Sequence, residues 1–426
     1  MCAAPYVPRV IDAELDELLP ELPAIALDGA KGVGKTVTAT RRAKTVHALD
    51  RPGALDLAVA DPQRLLNGSP PVLIDEWQRL PVSWDLVRRA VDEDSSASRF
   101  LLTGSATPRD PGTHSGAGRI VRMRMRPLTL SERRGDSPSV SLAALLDGRR
   151  EPVGGSTRFA LEDYTQEICA SGFPGLRGHS ERAVRAQLDG YLDQIVDRDF
   201  PDMDHALRNP DTVRNWLSAY AAATATTASY DAVRDAATPG EGEKPAKVTA
   251  HIYRDILQRL WILDPLPAWL PTRSHLRRLG GAPRHHLADP ALAARLLNAD
   301  PGALLQARAS QPPATRDGTL LGQLFESLVT LGVRVYAQAA EARVRHLRTH
   351  AGEHEVDLIV ERADHRVLAI EVKLSHTVAD RDVRHLRWLA DRIGDDLLDA
   401  VVVTTGSDAY RRRDGIAVVP AALLGP

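Results

Sequence analysis

The sequence predicts an α/β protein of more than one domain, and three observations carry that prediction. At 426 residues the chain is too long for one ordinary hydrophobic core. In its first third, apolar runs of strand length alternate with helical patterns, and one run leads directly into a glycine-rich loop. Near the C-terminus two apolar runs flank a short polar turn, and a helical pattern and two more apolar runs follow. Apolar residues at 43 % and charged residues at 26 % give the balance of a globular chain. No apolar run approaches the roughly 20 residues that span a bilayer. The N-terminus turns acidic early and lacks the apolar core of a signal peptide. Cys2 and Cys169 alone cannot build a disulfide framework. A cytoplasmic protein without membrane contact is expected.

The elements follow in order. An amphipathic helix over 11–22 leads to a strand, Ala24-Ile25-Ala26-Leu27-Asp28, then to GAKGVGKT at 29–36 and a helical pattern. This is G-x-x-x-x-G-K-T in the strand–loop–helix setting that a P-loop needs. Gly29, Gly32 and Gly34 let backbone N–H groups close around an anion, and the helix start adds its dipole. Lys35 would reach the β and γ phosphates of ATP, and Thr36 would hold Mg²⁺ through its hydroxyl. Only six of the 54 basic residues are lysines, and two of them, Lys35 and Lys373, occupy the defined lysine positions of chemical motifs, where arginine is a poor substitute. The next apolar strand, 71–76, ends in Asp75 and Glu76: one acid to orient Mg²⁺ through water, one to polarise the attacking water. A further strand, 100–105, ends in the hydroxyls of Thr103 and Ser105.

These motifs, with GRI at 118–120, PLTLSE at 127–132 and SGFPGLR at 171–177, resemble AAA-type ATPases of bacteria and archaea. In that group the ATPase module is fused to a C-terminal domain of mostly unassigned function. Ser171 departs from the group's G-G-F-P signature. The resemblance implies an AAA-type domain over 1–150, in which Thr103 or Ser105 senses the γ-phosphate unless both merely close a turn. It also makes Arg119 a candidate γ-phosphate contact or arginine finger, within one chain or across a homo-oligomer interface. An ordinary solvated arginine is the plainer reading.

Residues 151–310 read as helical. A helix over 185–200 is followed by three more at 212–224, 230–237 and 248–260, then by a strand-like run at 261–266. Three helices and a strand pair are the order of a winged helix, and the resembling family implies the same. The third helix offers His251, Arg254 and Arg259 but also Asp255, a weak surface for DNA. The stretch 273–286, with four arginines, three histidines and no acid, would suit phosphate contacts better. A solvated linker is the plain alternative, and solvated side chains are expected of His285, His286, His350 and His354, whose spacing matches no metal-ligand pattern.

Gln311-Pro312-Pro313 marks the expected start of a third domain, 311–426. An apolar helix over 318–335 carries Glu326. The runs 355–361 and 367–375 read as a hairpin around Asp364. With Arg362 facing Arg366, Asp357 falls opposite Glu371, their Cβ atoms about 4.5–5.5 Å apart on one face. Lys373, two residues on, shares that face. Opposed carboxylates repel unless a cation lies between them, so a divalent metal and the lysine would answer both needs. This D…E-x-K pattern resembles the PD-(D/E)xK superfamily, of restriction-endonuclease-like α/β fold, with Val356 in place of the proline and Glu326 matching the helix-borne acid. The resemblance implies Mg²⁺ or Mn²⁺ on Asp357 and Glu371, with Lys373 positioning the attacking water. A domain of this fold that does not cut, and a plain hairpin with incidental acids, stay open.

Two functions are therefore expected in competition. One is an ATP-hydrolysing enzyme that couples nucleotide state to metal-dependent cleavage of nucleic acid. The other is a nucleotide switch whose end domain and winged helix bind a partner or DNA without cleavage.

Overall fold

The computed structural model describes residues 6–107, 117–134, 138–203, 209–238, 246–270, 281–309, 319–349 and 352–426. The first elements are α1 (Val10–Leu18), β1 (Ala24–Asp28), α2 (Lys35–Thr40), β2 (Thr45–Ala48), α3 (Pro52–Ala60), β3 (Val72–Asp75), α4 (Val82–Glu93), β4 (Phe100–Gly104) and β5 (Val121–Arg124). Their strands form one parallel sheet in the order β2-β3-β4-β1-β5. Both faces of β1 are covered, so its apolar run is continuous rather than alternating. Ile25 and Leu27 meet the core that holds Ile11 and Leu15 of α1, whereas Ala24 and Ala26 join Trp77, Trp84 and Val87. The register sets Asp75 beside Thr103 and Asp28 beside Gly104, which levels the C-terminal ends of β1, β3 and β4. That edge is where open parallel sheets bind their ligands.

The chain continues through α5 (Leu130–Arg134), β6 (Val140–Ser141), α6 (Leu142–Leu146), α7 (Leu161–Ala170), α8 (Glu181–Gln194), α9 (Pro210–Ala222), α10 (Tyr230–Ala236), α11 (Lys247–Arg259), α12 (Pro290–Leu296) and α13 (Pro301–Ala309). Ser141, Ser180, Asn209, Ser229 and Asp289 start five of these by accepting an orphan backbone N–H. The helix expected over 185–200 ends at Gln194 and runs on as a π-helical turn to Asp199. The three helices expected next are α9, α10 and α11. The expected strand pair is reduced, among the described residues, to two isolated antiparallel bridges, Leu263 with Leu287 and Leu266 with Arg284. Asp264 and Leu266 donate to the His286 and Arg284 carbonyls at 2.8 Å, so Pro265 and Pro267 stand at the alternate positions, which face away from this pair. Residues 271–280, most of the basic stretch, and the 311–313 boundary lie outside the described residues.

The last part comprises α14 (Leu320–Ala339), β7 (Arg343–Arg348), β8 (Glu355–Glu361), β9 (Val367–Lys373), α15 (Arg384–Ile393), β10 (Leu397–Thr404), β11 (Tyr410–Arg411), β12 (Ala417–Pro420) and β13 (Leu424–Gly425). A mixed six-stranded sheet runs β11-β12-β10-β9-β8-β7. Leu358↔Ile370 through Glu361↔Val367 give the register expected from the turn, closed by Arg362 N–H donating to the Arg366 carbonyl at 3.0 Å. Leu358, Val360 and Ile370 share a core with α14, while Ile359, Ala369 and Val402 share one with α15. Thirteen of the 20 residues of α14 are buried, so it is an interior pillar rather than a surface helix. It touches α1, α5, α7 and α12 as well as its own sheet, and β13 pairs with β6. The parts of the chain therefore share one continuous core.

Candidate functional site

At the end of β1 the chain must turn tightly. Gly32 and Gly34 take φ of 82° and 103°, where a side chain is strained. A Cβ on Gly29 would run into the Met125 carbonyl. Lys35 is buried and folded back on this loop, its Nζ donating to the carbonyls of Gly29 at 2.8 Å and Ala30 at 2.9 Å. Burial pulls the ammonium down to about 8, against the attraction of Glu76, Asp28 and Asp75. Thr36 Oγ1 donates to Asp75 Oδ1 at 2.8 Å, so both hard oxygen donors meet at one point beside the lysine. Burial raises the Asp75 carboxyl above the ordinary range, which marks a place where a cation would be welcome.

The end of β4 holds the two acids. Thr103 Oγ1 donates to Asp75 Oδ1, and accepts the Glu76 N–H at 3.3 Å. Glu76 itself is left-handed at φ 57°, a conformation that costs a non-glycine residue energy and aims the carboxylate away from its strand. Its Oε2 accepts from Ser105 Oγ at 2.7 Å and from Gln78 Nε2 at 2.6 Å. The two hydroxyls thus divide the work, Thr103 on Asp75 and Ser105 on Glu76. Arg119 is not brought to this cluster. It is exposed and pairs with Asp92 of α4 at 2.7 Å.

The distal motifs close the loop from beneath. Phe173 and Pro174 lie 3.8 and 3.7 Å from where Cβ atoms on Gly32 and Gly34 would stand. Buried Arg9 donates to the Val33 carbonyl at 2.8 Å and to Glu132 at 3.1 Å. Glu132 also accepts the N–H groups of Val10 and Thr129 at 2.8 and 2.7 Å. PLTLSE and SGFP are thus the braces of the P-loop.

The C-terminal carboxylates do come together, but around a cation that the sequence reading did not include. Arg284 is buried, and its guanidinium binds Glu326, Glu355 and Asp357, the last at 2.8 Å. Asp357 is fully engaged: Oδ1 takes Arg284, and Oδ2 takes the Val372 N–H at 2.8 Å. Lys373 Nζ lies 2.9 Å from Glu371 Oε1, whereas Glu371 Oε2 is buried without a hydrogen-bond partner. Burial would raise Asp357, but Arg284 and then Lys373 hold it below the ordinary range. Burial and Asp357 push Glu371 up to about 8, and burial pushes Glu326 up to about 8 against Arg284. Among the described residues no group of three His, Cys, Asp or Glu is arranged to hold a metal ion. A divalent ion bridging Asp357 and Glu371 does not fit while Arg284 occupies Asp357.

The end of the basic stretch needs correction for the same reason. Arg284, His285 and His286 are interior rather than solvated. His285 packs edge-on to Tyr220 and Tyr230 and meets the Ala228 carbonyl at 2.7 Å, and His286 meets Ser327 Oγ at 3.2 Å. His354 stacks on Trp388 at 4.0 Å; His350 lies outside the described residues. On α11, Arg254 lies over the Tyr230 ring at 4.6 Å and Arg259 donates to the Thr107 carbonyl at 2.9 Å.

Residues 21–133 match the AAA domain family. The first module is an AAA-type P-loop domain. Residues 161–303 and 321–424 match two domains of unknown function, DUF8612 and DUF4143. An uncharacterized protein of Mycobacterium tuberculosis and one of Mycobacterium bovis are each 25 % identical over 419 residues, covering 96 % of this chain and 82 % of the relative. A Walker-type ATPase of Pyrococcus abyssi shows a TM-score of 0.39 and 16 % identity, over 67 % of this chain and 94 % of that one. Among the described residues no helix is long and apolar enough to cross a membrane.

Beyond its motif residues, the AAA module uses Gln78, Arg9 and Glu132, which sequence reasoning missed. Glu132 stood inside PLTLSE and could have been read as a capping acid, three residues after Thr129. Nothing local marks Gln78, Arg9 or Arg284, because each acts through partners set by the tertiary fold.

Proposed function

We propose that this chain is a nucleotide-operated switch. ATP occupies loop 29–36 with Mg²⁺ on Thr36 and Asp75, Glu76 activates the attacking water, and nucleotide state acts on the C-terminal domain through the shared core. Arg119 acts on phosphates only from a neighbouring copy in a homo-oligomer, given its surface pairing with Asp92. The observation that favours a switch over a nuclease is Arg284, seated where the two-carboxylate reading would place a metal. A latched nuclease is the second reading. It is favoured by the unpartnered Glu371 Oε2 beside Lys373, which leaves the D…E-x-K set whole once the arginine withdraws. DNA is a weaker partner reading, because Arg254, Arg259 and Arg284 are already engaged within the fold.

Mn²⁺ titration of the nucleotide-free full chain, read by electron paramagnetic resonance, tests the switch. Wild type and Asp357→Ala should take up the same Mn²⁺, whereas Arg284→Ala should gain a site that added Asp357→Ala removes. If wild type binds Mn²⁺ through Asp357 and cuts DNA or RNA with it, the switch reading is wrong and the nuclease reading stands.

A further inference from the structure

Between the end of β5, the C-terminal half of α14 and the start of β7 lies an open cleft of about 460 Å³. Four of its lining residues are arginines: Arg126, Arg334, Arg343 and Arg345. Behind it three guanidinia converge on one buried carboxylate. Asp264 is paired with Arg124 at 2.8 Å, Arg126 at 2.8 Å and Arg334 at 2.9 Å. The charges do not balance. Five guanidinia (Arg124, Arg126, Arg334, Arg343 and Arg345) face four carboxylates: Asp264, Glu341 on the rim, Glu361, 3.3 Å from Arg345, and Glu14, which accepts from the lining Gln338 at 3.0 Å. One positive charge is left over.

Excess like charge at recessed positions is costly unless something of opposite sign enters. Burial, then the neighbouring guanidinia, pull Arg124 down to about 9 and Arg334 down to about 10, even with Asp264 between them. Among the described residues the terminal nitrogens of Arg126 and the whole guanidinium of Arg343 have no hydrogen-bond partner. They are planar forks of the kind that grip phosphate oxygens bidentately.

We propose that this cleft binds a small phosphomonoester, with its phosphate on Arg126 and Arg343, while Arg334 stays bonded to Asp264 and to the Asp264 and Pro265 carbonyls. A phosphate group carries about −1.5 to −2 at neutral pH and would answer the guanidinium nitrogens of the cleft that lack a partner. The cleft lies within the roughly 300–1,000 Å³ range of small-ligand pockets, so it has room for the organic remainder. Arg126 is 9 % exposed, which suits a ligand that enters the cleft better than a duplex backbone that rides on the surface. Arg126 follows β5 at the same sheet edge as the P-loop, and Arg9 donates to both the Arg126 and Val33 carbonyls, but no residue of the loop 29–36 lines the cleft.

Isothermal titration of the full chain tests this, with the P-loop kept filled by a non-hydrolysable ATP analogue and Mg²⁺. The probes are glycerol 3-phosphate, inorganic phosphate and a short single-stranded DNA. Glycerol 3-phosphate should bind once per chain, and Arg343→Ala should weaken it roughly tenfold or more. Arg343 is exposed, so its loss leaves the fold intact; Arg126→Gln should weaken binding as well. Tighter binding of glycerol 3-phosphate than of inorganic phosphate supports an organic ligand, whereas equal binding reduces the site to one for free phosphate and overturns the monoester. Equal affinity in wild type and Arg343→Ala, no saturable uptake, or uptake of DNA alone also overturns it.

Discussion

Asp264→Asn is the most exacting perturbation, because one carboxylate ties three parts of the chain together. Arg124 ends β5, Arg126 follows it, Arg334 stands on α14, and Asp264 comes from the segment after α11. The asparagine keeps the shape but removes the only negative charge bonded to three nearly buried cations. Breaking a buried ion pair from one side costs about 3–5 kcal/mol. For the whole chain unfolding as one unit, at about 2.1 cal/mol/K of unfolding entropy per residue, that lowers the midpoint by roughly 3–6 °C. Burial alone would raise the Asp264 carboxyl; the three arginines overcome it and hold it well below the ordinary range. A depressed acid contributes its stability above the unfolded value of about 4 and loses it as pH falls through the folded value. The calorimetric difference between wild type and variant should therefore be flat from about pH 5 to 8 and close only below about pH 4. Adding Arg334→Met should restore part of the loss, since removing both partners is far milder than removing one. A midpoint shift under about 2 °C, or one equally large at pH 3 and pH 7, would refute the reasoning.

Further outcomes follow from the P-loop and its partners. Lys35→Ala and Lys35→Arg should both lose ATP binding in calorimetry, because the buried pocket against Gly29 and Ala30 fits a compact ammonium and not a planar fork. Since free Lys35 titrates at about 8, wild-type ATP affinity should fall as pH rises above 8, with proton uptake on binding in that range. Glu76→Gln should bind ATP yet hydrolyse it about 10²–10⁴-fold more slowly, and Ser105→Ala should lower turnover without weakening binding, because Ser105 holds Glu76 and its partner Gln78. Turnover of Arg119→Ala should fall only where wild-type turnover per subunit rises with protein concentration; a loss at all concentrations would place Arg119 at its own chain's phosphates.

The readable parts were those whose cause is local. G-x-x-x-x-G-K-T demands a tight turn at named glycines, and the positive φ of Gly32 and Gly34 meets that demand. The pairing of β8 with β9 was legible because a turn between Arg362 and Arg366 sets every opposed pair behind it. Continuous apolar runs marked most strands, because both faces of these strands are covered. Of the winged-helix strand pair, the described residues keep two antiparallel bridges, Leu263 with Leu287 and Leu266 with Arg284.

By itself, then, the sequence determined the phosphate loop, the acids that follow it, and the hairpin that sets Asp357 and Glu371 side by side. Each rests on backbone rules that act over a few residues. Only the tertiary structure decided what those groups touch. Arg284 reaches Glu326 and Asp357 across 42 and 73 residues of chain. Asp264 gathers Arg126 across 138, and Phe173 comes to rest on the P-loop glycines. A charge in a sequence carries no partner. Burial removes water from it, and whichever opposite charge the packed core brings within about 3 Å must take water's place.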